Sequence, residues 1–515
     1  MFTRNREAVV IRSSFTSSRA PWLRLLAVCA GGIAAGMLAG HTPTHADDYF
    51  WTGSTATGGN GTWSNVNNWS TIVSGTNRPA TGPGILDDVY FGITGATSAA
   101  TVTLTADAAA RSITQATMTG NLFLAGNGGA TDRVLTIGSG GITSTVTNNI
   151  WGVGNVGSNR LNVRLDGSQR WSAVNWIGGS YMLVRNEVSR AAEDTINRTL
   201  ALDIGTTSQQ AITLADVRDG GTAGSLSLWQ TGLSTLTFGT ATGGQTGSAT
   251  YTGRTTISRG GINLADGNLP TSGTLALRGS RGISLASGSW AMPIIVVETG
   301  ENVFSTSGTA NLGTISRTGG VVRFNNVGSS TTAYVVSNSN NSAGILGAWA
   351  TTDNNNWATI SSGTLAVATK TSVTESGLTS LDGVYSVGTL TLTASRSAYV
   401  IGSTGFGQSI NLGSSGANDL TVSGFSANFG EWTISRGANS SGRLVIGQDN
   451  ELIFGGNVYR LNVPIVDGTA AGRVTFTSNA STNNARAFLS GSSSYSGGTV
   501  LAYQNPQTVN LNNPA

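Results

Sequence analysis

The sequence predicts an all-β protein built from stacked repeats, and three observations support this prediction. Apolar residues alternate with polar ones at period 2 in many short segments, as in strands with one buried and one solvated face. Gly, Asn-Asn, Asp-Gly and Ser-Gly turns interrupt these segments about every six to twelve residues. Two similar nonamers also occur 244 residues apart in the chain. Examples of the alternation are Val102/Leu104, Leu161/Val163/Leu165, Leu390/Leu392 and Val474/Phe476.

The repeated nonamer indicates the architecture. Residues 249–257 read A-T-Y-T-G-R-T-T-I, and residues 493–501 read S-S-Y-S-G-G-T-V-L. Each copy has a Tyr, a turn at Gly and a β-branched run, which predicts strand, turn and strand. Shorter echoes, T-I-S-R and R-L-N-V, recur at unequal spacings. Unequal spacing favours a β-solenoid of irregular coils with loop insertions, about 22 residues per coil, over equal propeller blades.

Residues 1–46 differ from the rest of the chain and predict a signal peptide. Five arginines precede or open the apolar stretch Leu25–Leu38, and small residues around Ala46 suit cleavage after that residue. The apolar stretch is shorter than the roughly 20 residues that a membrane-spanning helix needs. We therefore expect a protein that is secreted, extracellular or held at the outer-membrane surface.

The composition after the leader excludes several classes of function. Cys29, His41 and His45 are the only Cys and His residues, so residues 47–515 contain neither. This excludes Ser-His-Asp and Cys-His nucleophilic sites and conventional zinc sites. The same residues carry 23 Lys and Arg against 24 Asp and Glu, so no basic footprint for nucleic acid remains. We expect no cofactor, no metal site, no catalytic residues and no nucleic-acid partner.

Three segments resemble the autotransporter-associated β-strand repeat proteins. The two nonamers resemble that family's Y-[ST]-G-G-T repeat, although Arg254 stands where the family has a second Gly. The Gly-rich block 344–359, with its two Trp residues, resembles a block of large family members. The third segment is the Trp-rich start of the mature chain, with Phe50-Trp51, Trp63, Asn68-Trp69-Ser70 and Asp87–Phe91.

This resemblance implies the passenger part of an autotransporter-like protein, folded as a right-handed parallel β-helix. The predicted organisation is a signal peptide at 1–46, a Trp-rich N-terminal cap with the first coils at 47–100, and a β-solenoid at 101–515. The family's C-terminal barrel is missing from this sequence. Since the chain ends at Ala515 about one coil after the last Tyr repeat, we expect a continuation of the chain beyond Ala515.

Candidate binding and catalytic residues are few. Trp51, Trp63 and Trp69 lie among Gly, Asn and Thr, and exposed Trp rings would stack on sugars; the alternative is that they plug the open end of the solenoid. The adjacent carboxylates are alternatives for glycoside chemistry, although neighbours on a strand point to opposite faces. These pairs are Asp47-Asp48, Asp87-Asp88 and Glu193-Asp194. The arginines of T-I-S-R are weaker candidates for an anion-binding stripe. The alternative is that they are solvated residues beside Gly turns.

The function expected from the sequence is that of a non-enzymatic surface passenger, adhesin-like or structural. It would be a monomeric rod that presents loops to glycans or to the surfaces of host or neighbouring cells, through many weak contacts. Contact with a membrane would come only through the leader or a missing C-terminal anchor. The alternatives are a polysaccharide-acting β-helix enzyme that uses Asp and Glu, and a glycan-binding module centred on the N-terminal tryptophans.

Overall fold

The structure is a computed structural model, and it describes most of the chain after the leader. The described residues are 46–511 except 54–58, 93–98, 117–119, 129–130, 148–149, 155–159, 174, 176–179, 192, 206–210, 222, 239–247, 265–272, 281, 286–293, 353–355, 404–406, 427–430, 457, 478–485 and 503–507. The chain divides between Thr44 and His45, and the fold below belongs to the second unit. The predicted signal peptide therefore lies, apart from Ala46, outside the described residues.

Strands dominate the described residues, and 3-10 turns are found at Val66–Asn68 and Glu375–Gly377. The first 29 strands are β1 (Asp48–Trp51), β2 (Gly61–Thr62), β3 (Trp69–Ser70), β4 (Asp88–Phe91), β5 (Ala100–Leu104), β6 (Ala108–Gln115), β7 (Leu122–Gly126), β8 (Arg133–Ser144), β9 (Ile150–Val153), β10 (Leu161–Leu165), β11 (Gln169–Ala173), β12 (Tyr181–Arg190), β13 (Arg198–Ile204), β14 (Ala211–Val217), β15 (Leu226–Gln230), β16 (Thr235–Phe238), β17 (Ser248–Ala249), β18 (Thr255–Ile257), β19 (Gly261–Leu264), β20 (Thr274–Arg278), β21 (Gly282–Leu285), β22 (Ile294–Thr299), β23 (Glu301–Thr306), β24 (Thr309–Arg317), β25 (Val321–Phe324), β26 (Ala333–Val336), β27 (Ala350–Thr352), β28 (Ala358–Ser361) and β29 (Thr364–Val367).

These strands form a first stack of three parallel ladders, which the chain visits in a fixed order. Ladder 1 contains β1, β4, β6, β8, β11, β13, β15, β18, β20, β22 and β24. Ladder 2 contains β2, β5, β7, β9, β12, β14, β16, β19, β21, β23, β25 and β27. Ladder 3 contains β6, β8, β10, β12, β14 and β17. Four long strands, β6, β8, β12 and β14, turn a corner and so belong to two ladders.

The spacing of stacked residues gives the coil length. In ladder 2, Leu124, Val153 and Val184 are successive partners, whereas in ladder 1 Ile257 pairs with Leu277. The coil from β1 to β4 contains 40 residues, since Trp51 pairs with Phe91, and the later coils contain roughly 20 to 32 residues, all within the range of repeat proteins. The prediction of an all-β, solenoid-like fold with parallel sheets is confirmed.

A second stack follows, and its strands are again parallel. They are β30 (Thr371–Ser372), β31 (Val384–Val387), β32 (Leu390–Thr391), β33 (Arg396–Ser397), β34 (Val400–Ser403), β35 (Gln408–Asn411), β36 (Ser415–Gly416), β37 (Leu420–Val422), β38 (Gly424–Ser426), β39 (Glu431–Ser435), β40 (Asn439–Ser440), β41 (Leu444–Ile446), β42 (Glu451–Gly455), β43 (Val458–Leu461), β44 (Ile465–Val466), β45 (Arg473–Thr477), β46 (Arg486–Leu489), β47 (Thr499–Ala502) and β48 (Thr508–Leu511). They form sheets of seven, six, four and two strands, in the orders β30-β31-β34-β38-β42-β45-β47, β32-β35-β39-β43-β46-β48, β33-β37-β41-β44 and β36-β40.

The segment between the stacks contains most of the antiparallel pairing of the described strands. There β29 pairs antiparallel with both β26 and β28, and near the N-terminus β1 pairs antiparallel with β3. The sequence predicted one solenoid over 101–515, without a linker. In the structure the strands form two stacks, whose main apolar clusters run from Tyr49 to Leu365 and from Leu378 to Ala487, and a third buried cluster joins them through Val321 of the first stack and Val400 and Ile453 of the second.

A buried carboxylate joins the two stacks. Glu451 of β42 is 3% exposed, and its Oε2 accepts hydrogen bonds from Arg317 Nη2 of the first stack at 2.7 Å and Arg473 Nη2 at 2.9 Å. Thr475 also donates to this carboxylate. Burial alone would raise the pKa of Glu451, but the charge of Arg317 and the bonds from Arg473 and Thr475 hold that pKa below its usual range.

The two Tyr nonamers, predicted as coil signatures, have the same local contacts in the two stacks. The hydroxyl of Tyr251 lies 2.6 Å from the Thr255 hydroxyl, and Tyr495 pairs in the same way with Thr499. In both copies the residue after the Tyr also binds an Asp of the preceding coil that is itself followed by Gly. The contacts are Thr252 N–H to Asp219 Oδ2, 2.9 Å, and Ser496 N–H to Asp467 Oδ1, 3.1 Å.

Candidate functional site

The three tryptophans predicted as ligand contacts are buried. Trp51, Trp63 and Trp69 are 0%, 4% and 0% exposed. Trp51 and Trp63 both pack edge-to-face on Trp69, with ring centroids 4.8 Å and 5.0 Å away, and Trp69 Nε1 donates to the Trp63 carbonyl at 2.7 Å. The rings fill the interior of the first coils, where large apolar groups contribute most by burial. None of the three presents a ring face to a sugar in this structure.

The adjacent carboxylates hold turns and strand edges. Asp87 Oδ2 accepts a hydrogen bond from the Gly84 N–H at 2.8 Å, and Asp88 pairs with Arg111. Asp194 pairs with the arginine four residues later, at 2.6 Å. Each of these three carboxylates is thus engaged with its own surroundings, which is the arrangement of a structural group.

Charged side chains converge instead on a groove at the corner between ladders 2 and 3. We call it the corner groove. The cavity has a volume of about 210 Å³ and draws its lining from successive coils. Its charged residues are Asp132, Arg160, Arg185, Glu187, Asp216 and Arg218. Asn162 also lines it, and its side-chain oxygen accepts from the Glu187 N–H at 3.3 Å.

A β-bulge shapes the corner groove. Strand β12 pairs regularly with β14 up to Val184 and again from Glu187 onward. Between these points Arg185 and Asn186 together oppose the single residue Ala215. The extra residue bends the strand and re-aims the neighbouring side chains, which is a common role of bulges beside binding and catalytic sites.

The bulge brings two carboxylates together across the ladder. Glu187 and Asp216 are in register on neighbouring parallel strands, which lie about 4.8 Å apart. Arg218 bridges the pair: its Nη2 is 2.7 Å from Asp216 Oδ2 and its Nη1 is 3.5 Å from Glu187 Oε2. A second, looser ion pair joins Arg160 to Asp132 at 3.9 Å.

Burial dominates the electrostatics of Asp216. It raises the pKa of Asp216; the hydrogen bond and charge of Arg218 act in the opposite direction, while the charge of Glu187 adds to the rise. Asp216 is therefore more easily protonated than an ordinary Asp. The groove offers hydrogen-bond donors and acceptors of both charges, which suits a polar ligand such as a glycan.

The T-I-S-R arginines do not form a stripe. In ladder 1, the row of stacked partners that contains Arg317 passes through Ile257 and not through Arg259. The successive partners in this row are Ile257, Leu277, Val297 and Arg317. Arg317 contacts Glu451, and Arg436 Nη1 donates to the Gly442 carbonyl at 3.2 Å. Arg317 and Arg436 thus have different surroundings.

Two features are absent from the residues that the structure describes: a cluster of metal-ligating side chains and a membrane-spanning helix. No group of three or more His, Cys, Asp or Glu side chains in this part of the chain is placed to hold a metal ion. Nor does any described helix have the length and apolar character needed to cross a membrane.

Comparison with known proteins gives no match. No protein-family model fits the sequence, and no curated protein and no solved structure is significantly similar to it.

Sequence reasoning missed the carboxylates of the corner groove. Glu187 and Asp216 belong to different coils, and only the loop lengths between β12 and β14 bring them into register. A local signal was present, because Arg185-Asn186-Glu187 places three polar residues in a row between the apolar residues Val184 and Val188. Such a run departs from period-2 alternation and is typical of a bulge.

Proposed function

We propose that this protein is a non-enzymatic β-solenoid, secreted or exposed at the cell surface, that acts as an adhesin-like or structural passenger. The proposal includes a right-handed parallel β-helix and membership of the autotransporter-associated repeat proteins. The observation that carries it is the pairing of charges in the corner groove. Asp132 pairs with Arg160, and Glu187 and Asp216 share Arg218. Paired charges on a fixed scaffold favour polar recognition of a surface.

The scaffold supports this role physically. Each coil buries its apolar face against its neighbours, so stability is a sum of coil-to-coil contacts along the stack. Outward-facing loops and side chains are then held at fixed spacings of about 4.8 Å per coil. Many weak contacts at fixed spacing add up when the opposite surface is repetitive, as a cell-surface polysaccharide is.

The location is tested on cells that express the full chain. We expect processing after Ala46 and recovery of the protein outside the cytoplasm; N-terminal sequencing of the mature protein and cell fractionation measure both. Binding is tested by retention of the mature protein on immobilised polysaccharides and on whole cells. Cytoplasmic protein with an intact leader would contradict the location, and protein retained on neither support would contradict the adhesin-like role.

A second candidate function has a specific observation in its favour: a polysaccharide-acting enzyme that uses Glu187 and Asp216. The two residues are in register on neighbouring parallel strands and contact the same guanidinium, which is compatible with the ~5–5.5 Å between the two carboxyl groups of retaining glycosidases. The raised pKa of Asp216 suits a general acid, and Glu187 would then be the nucleophile. Against this role, Arg218 occupies both carboxylates.

Release of reducing ends separates the two functions. Purified mature protein is incubated with a broad panel of polysaccharides, in parallel with Glu187→Gln and Asp216→Asn. The non-enzymatic proposal expects no release by any of the three proteins, together with weaker retention of the variants. Release by the native protein that disappears in both variants would establish the enzyme instead.

A further inference from the structure

We infer that the outer face of ladder 1 around Trp229 binds acidic oligosaccharides. Trp229 of β15 is 41% exposed and is the one exposed aromatic side chain in the described part of the chain. Trp229 lies on ladder 1, whereas the corner groove lies between ladders 2 and 3. Binding at Trp229 is therefore independent of any ligand in the groove.

The surroundings of Trp229 leave its ring accessible. Along ladder 1 its direct neighbours are Ala201 in the preceding coil and Thr256 in the following coil, and Ala276 comes next in the same row. These small side chains cannot screen an indole. The Nε1–H donates to the Ser258 hydroxyl at 2.7 Å, which fixes the ring over the neighbouring coil. A ring fixed in this way loses little further freedom on binding.

Arginines lie on the two coils that follow Trp229. Arg254, whose N–H donates to the Ser227 hydroxyl, stands two residues before Thr256, and its guanidinium reaches Glu298 across the intervening strand β20. Arg278 pairs with the same carboxylate. Both arginine side chains are more than 40% exposed, whereas Glu298 is 18% exposed. Two guanidiniums thus share one carboxylate, and the cluster keeps a net positive charge.

Ring and arginines together match the chemistry of a uronate-containing chain. The C–H face of a sugar ring is electropositive and stacks on the negative face of an indole. A carboxylate on the adjacent sugar accepts paired hydrogen bonds from a guanidinium. Because neighbouring coils repeat every 4.8 Å or so, a chain of linked sugars laid across them meets the ring and the arginines in turn.

The test is calorimetric titration of the mature protein with an oligogalacturonate hexamer and with its fully methyl-esterified form, which keeps the sugar rings but lacks the charges. We expect Trp229→Ala to weaken binding of the charged hexamer about tenfold, which corresponds to about 1.4 kcal/mol, because the stacked ring is lost. We expect Trp229→Phe to keep most of the binding. Arg254→Ala should weaken the charged hexamer severalfold and leave the esterified one unchanged.

Arg443→Ala is the matched control, because Arg443 is a similarly exposed, ion-paired arginine of the second stack. It should bind like the native protein. Equal affinity of Trp229→Ala and native protein would overturn the inference, as would equal loss with Arg254→Ala and Arg443→Ala. Native-like melting curves of the variants exclude unfolding as the cause. Unchanged binding by Glu187→Gln would show that the hexamer is bound here and not in the corner groove.

Discussion

The two copies of the Tyr nonamer are alike in their contacts and different in their burial. Tyr251, inside the first stack, is 0% exposed, whereas Tyr495, in the last coils that the structure describes for the second stack, is partly exposed. Each hydroxyl pairs with the Thr four residues later. Local sequence therefore sets the conformation of the turn, while the coils stacked on either side set how much the turn contributes to stability.

The largest expected effect is that Glu451→Gln separates the melting transitions of the two stacks. Removing the charge leaves Arg317 and Arg473 without their buried partner, which costs about 3 kcal/mol. Differential scanning calorimetry should show the second stack melting earlier while the first is little changed. Glu431→Gln breaks a more exposed pair with Arg460 in the same stack and should cost less than about 0.5 kcal/mol. Equal melting of both variants would contradict the assigned role.

In acid, the melting temperature of Glu451→Gln should become equal to that of the native protein. Because the pKa of Glu451 is lowered in the folded protein, its contribution is complete above its unfolded-state pKa of about 4.3. The contribution falls as the pH drops through the lower folded-state value. Melting temperatures of the native protein and Glu451→Gln, compared from pH 7 down to pH 2, should begin to converge below about pH 4 and become equal once the pH lies below the folded-state value.

The next effect compares the first Gly of each nonamer. A Cβ on Gly253 would stand 2.2 Å from the Leu226 carbonyl oxygen, and one on Gly497 would stand 2.7 Å from the Gly472 carbonyl oxygen. Gly253→Ala is expected to cost about 2–3 kcal/mol, because backbone in a buried stack cannot move away. Gly497→Ala lies in an exposed turn and should cost about 1 kcal/mol. Urea unfolding measures both, and the reverse order would contradict a dependence on stacking.

The position after the first Gly is Gly498 in the second nonamer and Arg254 in the first, and its backbone conformation explains this difference. Gly498 has φ +83° with nothing near its Cβ position, whereas Arg254 is absent from the residues with positive φ. Gly498→Ala should therefore cost about 1 kcal/mol through backbone strain alone. Arg254→Ala should cost less than about 0.5 kcal/mol, through its exposed ion pair with Glu298. A larger loss at Arg254 than at Gly498, measured by thermal unfolding, would rule out this explanation.

Period-2 alternation predicted the buried faces well, because strand geometry fixes which residues share a face. Val102, Leu104, Leu161, Val163 and Leu165 are all 0% exposed. The antiparallel pairing of the segment from β26 to β29 was not predicted, although this segment contains the distinctive two-Trp block 344–359, because composition does not reveal the direction in which strands pair.

The candidate sites could not be predicted to the same extent. Whether Trp51 lies inside a coil and Trp229 outside depends on strand register, which composition does not reveal. The pairing of Glu187 with Asp216 depends on the lengths of the loops between their strands. Residues that act together across coils are distant in sequence, so each one alone resembles an ordinary surface residue.

The smallest expected effect comes from the tyrosine hydroxyls themselves. Tyr251→Phe removes a hydrogen bond from the Thr255 hydroxyl, which is 2% exposed, and should cost about 1 kcal/mol because water cannot replace the lost partner. Tyr495→Phe removes the same bond from an exposed Thr499, where water takes the place of the phenol, and should cost less than about 0.5 kcal/mol. Urea unfolding of the two variants and of the double variant measures both losses. Equal losses would mean that the hydroxyls act through turn geometry, and burial by neighbouring coils would then no longer account for the difference between the two copies.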